Sequence, residues 1–486
     1  MHGRAGLHRH PKLTPTRAAG QLPPAALLAA PLLIGALAHA SPAHALESGA
    51  QISSMLRLGT TDCADPGFPT GCPWREFQDA AMVAPWVEGR PNSAVRAKGS
   101  VELRLHGPTA LSSLDDATDS ARRQPWSLRV TDAWASATGD WLDVRVGVAR
   151  VVWGVGQGVS VVDELNPWDL SNPTRLDQRL SAPMVDLTLH REAFSLQAVA
   201  LPFFVPAALP VDTVALNAGA DDLFEGATTG TGDITVGELD SRVTLPATTP
   251  SSATVGARLR WTGAPADLAI SWIHGPDSLP QVAGEVILTG FQTDQGRVDV
   301  GVPLQFPVRD LVGASFRSDL PGDIGAWGEA SLVLPERTVA VTSERQLEAL
   351  ASLGTIDAVP DPIPQTVTQD GAPYVRSLLG ADRAFGPVRI TAQWLRGFPT
   401  ERQASDLRHY GLVAARWTVT PTVRFQVSGA VDPAGPGVLA DAELGVLHAD
   451  AAEFVVGVSH ADGAQASPLS GFRGISHARA GVKMTL

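Results

Sequence analysis

The stretch HARAGVKMTL, residues 477–486, alternates apolar side chains with polar or small ones. The apolar positions are Ala478, Ala480, Val482, Met484 and Leu486. In a β-strand these positions share one face, while Arg479 and Lys483 lie on the other. This period of two predicts a strand with lipid or protein on one side and water on the other. Bacterial outer-membrane barrels close on a strand of this kind, so the stretch favours a secreted transmembrane β-barrel.

The same alternation recurs along most of the chain. In residues 142–148, for example, Leu and Val alternate with Asp, Arg and Gly. A membrane barrel presents its apolar face to lipid and its polar face to the lumen. We therefore expect the lumen to be lined by Glu102, Arg104, Asp186, His190, Arg258, Arg260, Arg389, Arg424, Arg479 and Lys483.

A soluble β-sandwich shows the same alternation with its polar face in bulk water, and it stays the alternative. Three features favour a barrel. The outward residues are almost purely aliphatic, the strands run to about 9–11 residues, and several tryptophans stand at strand ends, where interfacial girdles form. About 19 candidate strands are found, including 283–292 and 295–305, and bacterial barrels have even strand numbers. We predict an all-β fold: a single antiparallel transmembrane β-barrel of about 16–18 strands.

The predicted connections are of two kinds. Tight turns such as Gly139-Asp140 alternate roughly with long segments, which are 60–95, 154–180, 203–251, 335–372 and 461–473. We expect the short turns to be periplasmic and the long loops to be extracellular or folded into the lumen. The 203–251 segment is acidic and rich in Gly and Thr. It fits a plug, a vestibule that attracts cations or a solvated surface loop. Within 335–372, residues 343–353 predict a short amphipathic helix with Ser343 as N-cap.

The first 45 residues have the features of a secretory signal peptide. Basic residues precede an apolar run at 25–37, and small-x-small sites follow, of which we favour cleavage after Ala45. The run is shorter than the roughly 20 residues that a spanning helix needs. We therefore predict a cleaved leader, 1–45, and a mature barrel, 46–486, in the outer membrane of a Gram-negative bacterium.

Composition narrows the function classes. The net charge of −13 argues against an extended surface for nucleic acid. Cys63 and Cys72 are the two cysteines, and in an exported protein we expect them to form a disulfide. The sequence contains no HExxH, no GxSxG and no clustered Cys and His ligands. We therefore predict no enzyme activity, no catalytic residues, no metal and no cofactor.

The most specific local pattern lies between residues 130 and 210. Trp153-Gly154 is followed by Asp163, by Asn166-Pro167-Trp168-Asp169 and by Leu201-Pro202-Phe203-Phe204-Val205-Pro206. This series resembles the DUF1302-type family of proteobacterial outer-membrane proteins. Two departures are the Val148-Ala149 pair, where the family has Arg-Gln, and a final Leu486 in place of an aromatic residue. The resemblance implies an integral, porin-like outer-membrane protein, with apolar compounds as one class of solute.

The 154–180 loop is our candidate constriction. Asn-Pro and Asp-x-x-Asn sequences favour compact turns, and opposed charges across a constriction select polar solutes. The candidate residues are Arg145, Trp153, Asp163, Asn166, Asp169 and Arg175. The compatible alternative is that Asp163 and Asn166 only pin the loop against the wall.

Three functions stay open. We favour passive passage of small-molecule solutes through a charge-lined channel. The first alternative is a non-conducting, plugged barrel with a ligand-binding or structural role. The second is a lateral-exit transporter for apolar ligands, with an apolar pocket near residues 201–210. The expected partners are outer-membrane lipid, the barrel-assembly machinery through the C-terminal strand and, as large barrels often form them, a homotrimer.

Overall fold

The computed structural model describes residues 46–59, 81–105, 126–170, 176–208, 228–292, 297–352, 365–448, 451–463 and 476–486, apart from 230, 231 and 234, together with 359, 363, 467 and 469. The leader, the two cysteines and Arg175 therefore lie outside the described residues, as does much of the acidic 203–251 segment. Among the described residues, no helix is long and apolar enough to cross a membrane.

Eighteen antiparallel strands form one closed barrel. They are β1 (Leu46–Gly59), β2 (Ala81–Gly89), β3 (Val95–Leu105), β4 (Trp126–Thr138), β5 (Leu142–Ala149), β6 (Ala182–Arg191), β7 (Phe194–Leu201), β11 (Thr254–Thr262), β12 (Ala266–Pro276), β16 (Val308–Leu320), β17 (Ile324–Pro335), β20 (Tyr374–Phe385), β21 (Val388–Arg396), β22 (His409–Thr420), β23 (Val423–Asp432), β24 (Gly437–His448), β25 (Ala452–Gly463) and β26 (His477–Thr485). The first strand pairs with the second and also with the last, which closes the sheet. The predicted fold is confirmed.

A second, smaller sheet is built by three neighbouring long connections. It contains β10 (Thr235–Val243), β13 (Gln281–Val282), β14 (Gly284–Gln292), β15 (Arg297–Gln305), β18 (Thr338–Thr342) and β19 (Gln365–Gln369). The short strands β8 (Thr228–Thr229) and β9 (Gly232–Asp233) pair with each other. The helix predicted in 335–372 is present as α1 (Glu344–Ser352).

Three strand assignments need correction. The predicted strands 283–292 and 295–305 form, but they belong to the second sheet, because β14 pairs with β15 and β18 and not with the barrel. Conversely, β2 lies inside the predicted 60–95 loop. Its sequence AMVAPWVEG contains Pro85 and lacks a clean alternation of apolar and polar residues. For both reasons the sequence does not predict a strand here.

The barrel is apolar outside and polar inside. On β12, Leu268, Ile270 and Trp272 point outward and are exposed, whereas Ser271 and Ile273 point inward and are buried. The same alternation runs around the wall, and most of the described charged residues fall on the inner face, whereas a few, such as Arg191, Asp310 and Arg383, lie on the outer face. An exposed apolar band of this extent is what a lipid-facing barrel presents.

Connections alternate between the two ends of the barrel. One end carries only short turns, such as 139–141, 192–193 and 386–387, and the other carries all the long connections, such as 150–181 and 202–253. We call them the short-turn end and the long-loop end. The buried apolar core lies inside the barrel towards the long-loop end, between residues 150–170 and 176–181 and the wall.

Candidate functional site: the lumen and its inserted segment

Residues 150–170 and 176–181, which belong to the connection from β5 to β6, lie inside the barrel, and we call them the inserted segment. Its apolar side chains pack against the wall in two directions. Val159, Val161, Val162, Trp168, Leu170 and Leu176 share one buried cluster with wall residues that include Trp327, Leu378, Leu395 and Tyr410. Val151, Trp153 and Leu165 share another with Met184, Val199, Ile273 and Leu311. The hydrophobic effect therefore holds the segment in the lumen.

A single wall carboxylate organises the glycine-rich turn of the inserted segment. Glu329 on β17 accepts hydrogen bonds from the backbone N–H groups of Val155 (2.5 Å), Gly156 (2.7 Å) and Val161 (2.8 Å). It also accepts one from the Ser160 hydroxyl at 2.7 Å. A Cβ at Gly154 would collide with Ser160, so this turn requires a glycine there.

A second wall side chain, Gln393, also binds the backbone of this turn. The Gln393 side-chain oxygen on β21 accepts from the backbone N–H of Gln157 and from the Trp327 indole, both at 3.0 Å. Its amide group donates to the Gln157 carbonyl at 2.5 Å. Hydrogen bonds thus attach the turn to β17 through Glu329, to β21 through Gln393 and to β20 through Asp382, which accepts from the Gln157 side chain at 3.4 Å.

Asp163 and Asn166 are buried and bonded to the backbone of their own segment. Asp163 accepts from the Trp153 N–H at 3.0 Å, and Arg179 donates to the Asp163 carbonyl at 2.9 Å. Burial raises the pKa of the Asp163 carboxyl, against the opposing effect of the Arg179 guanidinium. Asn166 accepts from the Val151 N–H at 2.8 Å and donates to the Leu180 carbonyl at 3.1 Å.

The other candidate residues meet in pairs at the wall. Asp169 contacts Arg129 of β4 at 2.8 Å. Arg145 contacts Asp186 at 2.7 Å across β5 and β6. Gln197 extends this pair, because it donates to Asp186 at 2.9 Å and accepts from the Trp153 indole at 2.9 Å. Trp153, Asp163, Asn166 and Asp169 are all at most 4% exposed.

Most predicted lumen residues form ion pairs on the inner face or, for His190, a hydrogen bond with a carboxylate. The described pairs are Glu102 with Arg104 (2.7 Å), His190 with Asp143 (2.9 Å), Arg260 with Asp267 (2.9 Å), Arg389 with Asp382 (3.7 Å), Arg424 with Glu453 (2.5 Å), Arg479 with Asp441 (2.5 Å) and Lys483 with Glu443 (3.2 Å). Arg258 lies on the same face of β11 as Arg260. These pairs combine both signs of charge, as a water-filled lumen does.

A buried charge cluster was missed by sequence reasoning. Glu164 of the inserted segment contacts Arg309 of β16, and its other oxygen lies 2.7 Å from Arg376 of β20. Arg402 and Asp277 complete the cluster at 3.2 Å from each other, and each of the five side chains is at most 9% exposed. Strand parity alone would have put Arg309 and Arg376 on the inner face. Their meeting with Glu164 depends on how the inserted segment folds, which no local pattern shows.

A narrow cleft lies beside this cluster. Its walls are both polar and apolar, and the polar lining includes Glu164 and Arg309. The apolar lining consists of Leu165, Pro167, Leu201, Phe203, Phe204, Val205, Ile273, Pro276 and Leu311. The lateral-exit hypothesis predicts an apolar pocket near residues 201–210, and the cleft is lined by Leu201, Phe203, Phe204 and Val205 of that stretch. Among the described residues, no group of His, Cys, Asp and Glu side chains is arranged to hold a metal ion.

Comparisons with known proteins show a likeness in fold only. No family model matches the chain, and no curated protein matches it. OccAB1 of Acinetobacter baumannii is 8% identical with a TM-score of 0.46, over 91% of this chain and 96% of that one. OpdK of Pseudomonas aeruginosa, solved with vanillate, is 10% identical with a TM-score of 0.45, over 90% and 98%. An anion-selective porin from Comamonas acidovorans is 10% identical with a TM-score of 0.39, over 91% and 100%. These likenesses concern the barrel fold alone.

Proposed function

We propose that the protein is a porin-like outer-membrane channel through which small solutes diffuse past the inserted segment. The observation that carries the proposal is the polarity of the wall. Exposed aliphatic side chains cover the outside, and ion pairs such as Arg479 with Asp441 line the inside. An aqueous path explains why so many charges face inward, because buried charges without water or partners are costly.

The proposed path runs beside the inserted segment and not through it. The ion pairs and buried clusters that include residues of the segment also include residues of wall strands β4 to β7, β12, β16, β17 and β20 to β25. The charged side chains of β2, β3 and β26 line the remaining sector, with Glu88, Arg96, Lys98 and Lys483 among them. Solutes in this sector would meet both signs of charge, which favours polar over apolar cargo.

One observation favours a second candidate, a plugged barrel. The inserted segment is held by buried apolar clusters on both of its sides and by the Glu329 hydrogen bonds. A segment so firmly held is able to block the lumen completely. In that case the barrel would bind a ligand or a partner without conducting.

The test uses the protein extracted from the outer membrane of a Gram-negative host and inserted into planar bilayers. Lys483 is 40% exposed in the lumen beside Glu443, so Lys483→Glu is expected to shift the reversal potential in a salt gradient towards cation preference. Arg191→Glu, the same charge change on the outward side of β6 next to a short turn, is the control and should leave selectivity unchanged. Equal selectivity of the Lys483→Glu variant and the wild type would refute the proposed path.

Membership of the DUF1302-type family, recognition by the assembly machinery through β26 and a homotrimeric state remain predictions that accompany this proposal. Extraction from the outer-membrane fraction tests the location directly. Recovery in the inner-membrane or soluble fraction would contradict it.

A further inference from the structure

The outer wall carries a basic patch at the long-loop end, where β21 ends and β22 begins. Arg396 and His409 lie directly opposite each other in the antiparallel register of these strands. Both face outward, because their neighbours Leu395 and Tyr410 are buried on the inner side. Trp394 shares the outward face and is exposed. We call Trp394, Arg396 and His409 the basic patch.

The side chains of the patch are held by the wall and by one another. Trp394 and His409 stack with 5.4 Å between their ring centroids and 22° between their planes. Nη1 of Arg396 donates to the Val375 carbonyl at 3.2 Å. A guanidinium has five N–H donors, so this one bond leaves donors for a further acceptor. The patch is therefore ordered and still able to bind an acceptor from outside the wall.

No carboxylate in the described part of the chain compensates the charge of Arg396. Neither Arg396 nor His409 forms an ion pair there, and the other partner of Arg396 in the register is Ser377. The corresponding end of β12 is different, because Nδ1 of the outward His274 lies 3.0 Å from Asp310. An unpaired charge on a lipid-facing wall is costly. A counter-charge for Arg396 therefore has to come from beyond the described residues.

The position of the patch favours a lipid headgroup as the source of that charge. Arg396 is the last residue of β21 and His409 is the first of β22, so both lie at the edge of the apolar band. Tryptophan is enriched at this level of a membrane protein. The short-turn end is expected to be periplasmic, which assigns the patch to the outer leaflet. In Gram-negative bacteria this leaflet is built of a glycolipid whose headgroup carries phosphate groups.

We propose that the basic patch binds a phosphate of an outer-leaflet glycolipid headgroup. Arg396 supplies the charge and hydrogen-bond donors, since guanidinium groups bind phosphate oxygens in bidentate geometry. His409 supplies a further N–H donor, and Trp394 packs beside the upper part of an acyl chain. The inference goes beyond the channel function, because the site lies on the outer wall and not on the solute path. It assigns a specifically held lipid to the β21–β22 sector.

The experiment is a titration of the purified, delipidated barrel in detergent, with bound lipid counted by native mass spectrometry. The probes are bisphosphorylated lipid A and the same lipid after enzymatic removal of its phosphates. Charge-assisted hydrogen bonds predict that the phosphorylated form binds at least about tenfold more tightly. Equal affinity for the two forms would overturn the proposal.

Two competitors distinguish the sources of phosphate. Inorganic phosphate at equal concentration should not displace lipid A, because it has no acyl chains to pack on the wall. Displacement would identify a site for free phosphate and overturn the lipid assignment. Phosphatidylglycerol should bind more weakly than lipid A, because its headgroup carries a single phosphodiester with less charge. Equal or tighter binding of phosphatidylglycerol would identify a phospholipid site instead and also overturn the assignment.

Substitutions at two outward arginines locate the site. Arg396→Gln should abolish the preference for the phosphorylated lipid, and Arg396→Lys, which keeps the charge, should retain more of it than Arg396→Gln. Arg383→Gln is the matched control, because Arg383 also faces outward but lies near the opposite end of β20, over the Phe385 ring at 5.1 Å. It should leave the preference unchanged. A heat-modifiable Arg396→Gln barrel with the wild-type preference, or an equal loss in Arg383→Gln, would contradict the assignment.

Lipid binding in detergent does not require conduction, so the two proposals fail separately. A barrel that conducts but binds both forms of the lipid equally keeps the channel function and loses the lipid site. A barrel that prefers the phosphorylated lipid but never conducts keeps the lipid site and supports the plugged alternative.

Discussion

At the scale of single residues, Glu329 holds the inserted segment to the wall. Its carboxylate accepts hydrogen bonds from three backbone N–H groups and one hydroxyl of the segment. Glu329→Gln replaces one acceptor oxygen with a donor and is expected to lower the local stability of the segment by about 2 kcal/mol or more. Single-channel recordings should then show a larger or more frequently fluctuating conductance. Glu336→Gln, at an exposed carboxylate that accepts from Val308, is the control. Identical traces for the Glu329→Gln variant and the wild type would contradict the role of Glu329.

Glu164 gives the site a pH dependence. Burial alone would raise its pKa, but Arg309, Arg376 and Arg402 outweigh burial and hold the pKa of Glu164 well below its usual range. A carboxylate whose pKa is lower in the folded state stabilises the fold above its unfolded pKa, which is about 4.3, and this contribution is lost as the pH falls from there towards the folded pKa. The wild type should therefore be more thermostable than Glu164→Gln at pH 7, and the difference should shrink below about pH 4. A difference in melting temperature that stays constant from pH 7 to pH 3 would contradict this account.

At the scale of elements, β26 closes the barrel against β1. Gly481 lies opposite Met55, and a Cβ at this glycine would collide with the Ser54 carbonyl oxygen. Gly481→Ala is expected to cost about 1–3 kcal/mol through this backbone overlap. The fraction of protein that migrates as a compact, heat-modifiable band in gels should fall. Gly411→Ala on β22 is the control, because a Cβ there meets only the Val431 side chain at 3.3 Å. Normal heat-modifiability of the Gly481→Ala variant would show that closure tolerates the overlap.

Strand pairing explains which elements a sequence pattern predicts. The terminal strand was found because Ala478 to Leu486 alternate cleanly. A period of two reports one apolar face, but it does not report which sheet that face belongs to. For this reason the alternation predicts β14 and β15 as barrel strands, although β15 pairs in parallel with β10 in the second sheet. In β2, Pro85 and Trp86 break the alternation. The segment is recognisable as a strand only through its pairing with β1 and β3.

The candidate site was predictable only in its local parts. The compact loop around Asp163 and Asn166 followed from turn-forming residues, and the structure buries both side chains. Glu329, Gln393, Arg309 and Arg376 reach the same segment from strands that are far apart in the sequence, and Arg402 reaches it from the connection between β21 and β22. Alternation places the four strand residues on the inner face, but their partners are set by the register of the closed barrel. Long-range contacts of this kind leave no local signal in one sequence.

At the scale of the whole molecule, the barrel has an apolar outer wall, a charged inner wall and a segment that fills part of the lumen. The inner surface is lined by ion pairs from Glu102 with Arg104 on β3 to Lys483 with Glu443 across β24 and β26. Such a surface is stable in water and costly in a dry interior. The central claim is therefore that water, and with it small solutes, passes beside the inserted segment.

The most direct test of that claim is the single-channel conductance of the wild-type barrel in a planar bilayer. We expect stable, ohmic steps from a heat-modifiable barrel. A folded, heat-modifiable barrel that inserts into the bilayer and never conducts would contradict the open path, and the inserted segment would then be a complete plug.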